Sequence, residues 1–171
     1  MVDSSVTATL ALFHIFSAIG WLGAALFFTT VVGPVLPRLS PPARSELILK
    51  MFHRQATYIE IFSGLTVVFG VGLALARSDG DLSIFLPTSS WGLRITAGAT
   101  IALIAFVIAF AIVIPGVKNL IKMVEQMQQN PQQPPPAEFF GVQKRIRYGA
   151  MAVLILLIIV LVFMVGAVRY Y

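Results

Sequence analysis

The feature that most constrains this chain is its long apolar runs, the clearest of which is AVLILLIIVLVFMVGAV at 152–168. The hydrocarbon core of a bilayer takes about 20 apolar residues as a helix. Three further stretches qualify, at about 6–32, 56–76 and 91–114. The sequence therefore predicts an all-α fold, an integral membrane four-helix bundle that occupies residues 1–171 as a single domain.

Composition excludes the other broad classes of protein. Of the 171 residues, 58% are hydrophobic and 11% charged, whereas soluble domains have about 45–50% apolar and about 25% charged residues. The net charge of +5 comes from basic residues that cluster beside the apolar runs, which indicates membrane topology rather than nucleic-acid binding. We therefore expect the lipid bilayer as a partner, and no nucleic acid.

Prolines and polar segments mark where the helices end. Including amphipathic extensions, the predicted helices cover about 6–32, 45–76, 91–122 and 146–168. Pro34, Pro37, Pro41 and Pro42 are predicted to end the first helix, and Pro42 suits the first residue of the second. The Pro- and Gln-rich segment 126–137 is predicted to be a flexible connector.

The distribution of Lys and Arg predicts the orientation. Three basic residues flank the apolar runs on one side: Arg77, Arg94 and Arg169. Nine lie on the other side: Arg38, Arg44, Lys50, Arg54, Lys118, Lys122, Lys144, Arg145 and Arg147. The positive-inside rule then predicts a multi-pass protein of the plasma membrane with both termini outside.

Only two histidines are available for chemistry, and the chain has no cysteine. Disulfides, c-type haem attachment, iron–sulfur clusters and thiolate metal sites are therefore excluded. His14 lies inside the first predicted span, where a polar group needs a partner. Ser17 and Trp21 share its helix face. The side chain either ligates a metal or cofactor, or hydrogen-bonds a neighbouring helix.

His53 lies near the start of the second predicted span, within the densest polar patch close to the membrane. Thr57 and Glu60 follow at offsets of four and seven, on the same helix face, and Arg54 and Tyr58 are adjacent. Glu60 could orient a helix, bind a cation or relay protons. His53 is either a ligand or an interfacial side chain, and the sequence leaves both readings open.

The string HIFSAIGWLGAALFFTTVVGPVL at 14–36 resembles the opening helix of the CopD-like and HemJ-like membrane protein families. CopD-like proteins are associated with copper uptake. HemJ-like proteins have four helices, bind haem b through a histidine of the first helix and oxidise protoporphyrinogen IX. The resemblance implies that His14 is a haem ligand. The third predicted span contains no counterpart of the histidine that HemJ-like proteins carry there.

From these observations we expect a haem b-binding protein with a redox role, either electron transfer or chemistry on a small oxidant or diatomic molecule. His14 and His53 are the candidate iron ligands. Their depths differ by about 15–25 Å, taking about 1.5 Å of rise per residue, which favours two haem sites over one shared haem. Trp21 and Tyr58 are candidate walls of the cofactor site. Candidate partners of the haem propionates are Arg77, Arg94, Arg54, Arg145 and Arg147.

Other functions stay open at this point. A homodimer is expected, because four short helices enclose little volume, and an electron donor or acceptor is an expected partner. The alternatives are a CopD-like copper transport or handling protein, a HemJ-like protoporphyrinogen oxidase, and a membrane scaffold without catalysis. Whether the protein is an enzyme, such as a haem-dependent oxidoreductase, is left open by the sequence.

Overall fold

The fold was analysed in a computed structural model that describes residues 3–81, 83, 86, 89–132 and 134–168. Every regular element among these residues is helical. Four long helices follow one another: α1 (Ser4–Arg38), α2 (Pro41–Arg77), α3 (Ser90–Gln129) and α4 (Phe139–Val168). Each contains an 18-residue window apolar enough to cross a membrane. The prediction of an all-α, multi-pass membrane protein with four spans is confirmed.

The helices are longer than the spans predicted from the sequence. The 40 residues of α3 make about 60 Å of helix, twice the hydrocarbon thickness of about 30 Å. Beyond its apolar part, α3 continues as an amphipathic segment whose buried face includes Val117, Leu120 and Val124. Residues 126–129, predicted to belong to the flexible connector, are the last residues of this helix.

We call the end of the bundle that holds the 38–41 and 130–138 connections the loop end. The opposite end, where α1 begins, α2 ends, α3 begins and α4 ends, is the terminal end. At the terminal end, α1 and α3 start with side-chain caps: the Asp3 carboxylate accepts from the Ser5 N–H at 3.0 Å, and Ser89 Oγ accepts from the Gly92 N–H at 2.9 Å. The backbone hydrogen bond from Ser5 lowers the pKa of Asp3. Such caps satisfy amide groups that the first helical turn leaves unpaired.

The prediction that Pro34 ends α1 is wrong. A π-helical segment, Phe28–Val32, precedes this proline, and the Gly33 N–H bonds back to the carbonyl of Phe28. The helix then continues as far as Arg38. It ends where Leu39 becomes extended, because the following Ser40 starts the next helix.

Arg44 at the start of α2 stabilises this helix end. Its guanidinium donates to the carbonyls of Leu36, Pro37 and Leu39 at 2.8–3.2 Å. A helix leaves its last carbonyl groups without backbone partners, and a basic side chain is well suited to bind them. One residue therefore both caps α1 and fixes the tight connection to α2.

In α3, too, a π-helical segment precedes a proline. A π-helical segment, Ala109–Val113, ends two residues before Pro115, as Phe28–Val32 ends two residues before Pro34. A third π-helical segment, Ile48–Phe52, lies in α2 directly before His53. The sequences at the two prolines, VVGPVL and IVIPGV, are also alike, so the first helices of the two hairpins share this local structure.

The helices pair as two antiparallel hairpins, α1 with α2 and α3 with α4. Glycines allow close approach within each hairpin: Gly20 faces the ring of Phe62, and Gly98 faces Met164. The hydrophobic core that joins the hairpins lies within 21–59 and 105–157, with Trp21 and Ala105 almost completely buried. The described core is therefore concentrated towards the loop end.

We expect Gly20→Ala and Gly23→Ala to have opposite effects on stability. A Cβ on Gly20 would overlap the Phe62 ring, whereas a Cβ on Gly23 would meet no atom within 4 Å. Overpacking should lower the free energy of unfolding by about 1–3 kcal/mol at Gly20, and improved helix propensity should raise it by up to about 1 kcal/mol at Gly23. Thermal unfolding in detergent measures both. Equal melting temperatures would contradict the packing of α1 on α2.

Candidate functional site

His14 of α1 packs against α2 in the terminal half of the bundle. Its Nδ1 lies 2.9 Å from the backbone carbonyl oxygen of Thr66. The ring packs against Gly70, where a Cβ would come within 2.9 Å of His14 Cε1. Any larger residue at position 70 would therefore displace the imidazole.

This hydrogen bond determines which nitrogen carries the proton. A carbonyl oxygen can only accept, so Nδ1 donates, and the neutral ring keeps its lone pair on Nε2. Histidines that bind metals usually donate their other ring N–H to a carbonyl or carboxylate, which orients the ring. The side chain is partly exposed. His14 therefore has the geometry of a ligand, and Thr66 and Gly70 create it. Gly70 was expected from the sequence to be either a helix-packing site or clearance for a cofactor, whereas Thr66 was not predicted.

We expect His14 to show the Nδ1–H tautomer in a ¹⁵N histidine NMR spectrum of the detergent-solubilised protein. Gly70→Ala should abolish it, because the new methyl group pushes the ring away from the Thr66 carbonyl. Gly64→Ala on the same helix is the matched control, since its Cβ would meet nothing within 4 Å. His53→Ala assigns the remaining signal. An Nε2–H tautomer in the wild type would rule out this hydrogen bond.

His53 lies towards the loop end of the bundle, at a different depth from His14. It follows the π-helical segment of α2, its side chain is exposed, and its carbonyl accepts from Thr57 Oγ1 at 3.3 Å. Thr66, the partner of His14, comes thirteen residues later on the same helix, about 20 Å further along the axis. One haem therefore cannot take both histidines of a single chain. Among the described residues, no group of three or more His, Asp or Glu side chains could hold a metal ion.

Glu60, seven residues after His53 on α2, forms an ion pair that the sequence did not reveal. Its Oε1 lies 2.6 Å from Nζ of Lys118 on α3, and the two side chains are 30% and 51% exposed. The pair connects α2 of one hairpin to α3 of the other. Of the roles considered for Glu60, this contact supports the orientation of a neighbouring helix.

Reversing both charges tests the pair. We expect Glu60→Lys and Lys118→Glu each to destabilise the protein, and the double variant to recover part of the loss. The coupling energy should be about 0.2–1 kcal/mol, the usual range for partly exposed pairs. Urea or thermal unfolding in detergent gives the four free energies. Strict additivity would show that the contact contributes nothing.

The arginines proposed as propionate partners fall into two groups. Arg77 and Arg94 lie in the terminal half, as does His14; Arg77 is exposed, and the Arg94 guanidinium lies against Gly166 of α4. The other three are exposed at the loop end, near the level of His53: Arg54, Arg145 and Arg147. Arg169, like Tyr170 and Tyr171, lies outside the described residues.

The two aromatic residues predicted to line a cofactor occupy different environments. Trp21 is 1% exposed and makes an edge contact with Phe106 of α3, with ring centroids 6.4 Å apart. Tyr58 is 41% exposed and stacks on Phe62 at 4.2 Å. Trp21 is therefore a core residue, and Tyr58 is a surface residue.

A small cavity of about 30 Å³ lies beside Trp21, where all four helices meet. The indole Nε1 of Trp21 and the Oγ1 of Thr29 are buried and have no hydrogen-bond partner in the described part of the chain. Sites for organic ligands occupy about 300–1,000 Å³, so this cavity cannot hold a haem. Neither Thr29 nor Gln55, which also lines it, was singled out from the sequence, because each looked like an ordinary helix residue.

The fold and these sites define a multi-pass, four-helix membrane protein with a histidine held inside the membrane-spanning part. No family model, curated protein or solved structure matches the chain. Its function must therefore be argued from its own residues.

Proposed function

We propose that the protein binds haem b in the membrane, has a redox role, and uses His14 as an axial ligand of the iron. The observation that carries this proposal is the hydrogen bond from His14 Nδ1 to the Thr66 carbonyl, which leaves Nε2 with a lone pair. Neutral imidazole is a common axial ligand of haem iron. The iron would supply a centre that takes up and releases one electron at a time.

The protein's own residues would hold and orient the ligand. The Thr66 carbonyl fixes the rotation of the imidazole and makes Nε2 a better donor, and Gly70 gives the ring the space to lie against α2. The group would bind in the terminal half, since the central cavity is too small for it. Arg77 and Arg94 are the proposed partners of its propionates, because guanidinium groups pair well with carboxylates.

The second axial position must be filled from elsewhere or stay open. His53 lies about 20 Å along α2 from the level of His14, so it would serve a separate haem at the loop end. We propose that the chain forms a homodimer, that it exchanges electrons with a donor or acceptor, and that both termini lie outside the plasma membrane. The orientation rests on nine basic residues at the loop end against three at the terminal end.

The alternative functions have less support. A copper path needs several converging donors, and the described residues contain no group of three acidic or histidine side chains. Protoporphyrinogen oxidation has no residue in its favour beyond His14. In a scaffold without a cofactor, the hydrogen bond from His14 to Thr66 would serve only to hold α1 against α2.

The test is a visible spectrum of the protein, purified in detergent from haem-replete cells. The spectrum is recorded after oxidation by air and again after reduction with dithionite. We expect a Soret band, with sharp α and β bands after reduction. His14→Ala should remove the pigment of its site, and Gly70→Ala should weaken it because the imidazole is displaced. Gly64→Ala should bind haem like the wild type.

His53→Ala distinguishes one haem from two. Full pigment in this variant assigns the haem to His14 alone, and loss of half assigns a second haem to His53. A colourless wild type, or a His14→Ala variant with an unchanged spectrum and haem content, would refute the proposal. Metal analysis of a colourless protein would then separate copper handling from a scaffold.

A further inference from the structure

The cavity at the centre of the bundle is lined by side chains from all four helices. It has a volume of about 30 Å³. Trp21, Thr29 and Gln55 provide the polar part of the wall, and the remainder is apolar. Trp21 comes seven residues after His14, about 10 Å along α1, so the cavity is separate from the proposed haem ligand.

Two buried polar atoms at this cavity lack a protein partner. Trp21 is 1% exposed, and within the described residues nothing accepts from its indole Nε1–H. Thr29 Oγ1 is also buried and unpaired, whereas Thr30 Oγ1 donates to the Leu26 carbonyl at 2.8 Å. An indole N–H can only donate. Both atoms would be costly to bury without a partner, and proteins nearly always satisfy such groups.

Two of the three π-helical segments form opposite walls of the cavity. Phe28 and Thr29 come from the segment Phe28–Val32, and Ala109 and Val113 come from Ala109–Val113. π-Helical turns are rare and occur frequently at functional sites. The cavity is therefore built into the irregular part of both hairpins, which distinguishes it from a simple packing defect.

We propose that this cavity is a binding site for water, held by Trp21 Nε1, Thr29 Oγ1 and the amide of Gln55. The volume exceeds the roughly 10–15 Å³ that one water requires, and a buried water typically makes about three hydrogen bonds. No lining residue carries a charge, so an anion would be buried without a cation. An apolar occupant would leave the indole N–H unpaired. Water is the small molecule that can accept from Trp21 and still donate to a second partner.

Solution NMR of the full-length protein labelled with ¹⁵N-tryptophan tests the proposal. Trp91→Phe assigns the two indole signals. We expect the Trp21 indole N–H to show a cross-peak to water with the sign of a dipolar contact rather than of chemical exchange. Thr29→Val should reduce this cross-peak at least twofold, and the matched control Thr30→Val should leave it unchanged. Absence of the cross-peak in the wild type would overturn the proposal.

A substitution that fills the cavity gives an independent test. Ala150→Val places two extra methyl groups on the cavity wall, and Ala152→Val on the same helix, away from the cavity lining, controls for helix propensity. If water is bound, Ala150→Val displaces it, lowers the melting temperature relative to Ala152→Val and removes the cross-peak. A dry cavity would instead be filled favourably, so a higher melting temperature for Ala150→Val would contradict bound water.

Discussion

Inside a membrane, each backbone amide and carbonyl must find its partner within the protein, because lipid offers none. Pro34 and Pro115 each leave a carbonyl of the preceding helical turn without its usual partner, because proline has no N–H to donate. A π-helical segment precedes each of these prolines, and Arg44 binds the last carbonyls of α1. The two π-helical segments also contribute Phe28, Thr29, Ala109 and Val113 to the lining of the central cavity.

The three polar features of the bundle differ in their exposure. The Glu60–Lys118 ion pair is partly exposed, at 30% and 51% for the two side chains, whereas the unpaired atoms of Trp21 and Thr29 are buried. His14 is partly exposed and has a backbone carbonyl as its partner. Burial costs more for a charge than for a neutral polar group, which is consistent with the charged pair keeping contact with the surface.

Much of the fold could be predicted from hydrophobicity alone, because runs such as 152–168 have no other stable solution in a chain this apolar. Helix ends were less predictable. Pro34 normally ends a helix, and only the three-dimensional arrangement of Gly33 with Phe28, and of Arg44 with the carbonyls around Leu39, explains why α1 continues to Arg38.

For the candidate site, the sequence identified the intramembrane histidine but not its surroundings. His14 was conspicuous as an ionisable group in an apolar run, whereas Thr66 and Gly70 lie more than fifty residues away and act through a carbonyl and a missing Cβ. The identity of a threonine or a glycine does not show which side chain of another helix will lie against it. Lys118 and Thr29 were equally hard to find, because their roles depend on which helices become neighbours.

The uneven distribution of the core has a consequence for motion. The apolar cluster that joins the two hairpins lies within 21–59 and 105–157, so separating the helices at the loop end would expose far more buried surface than separating them at the terminal end. Local opening occurs preferentially where few buried contacts must be broken. The two hairpins are therefore joined mainly at the loop end, and local separation of the helices should begin at the terminal end.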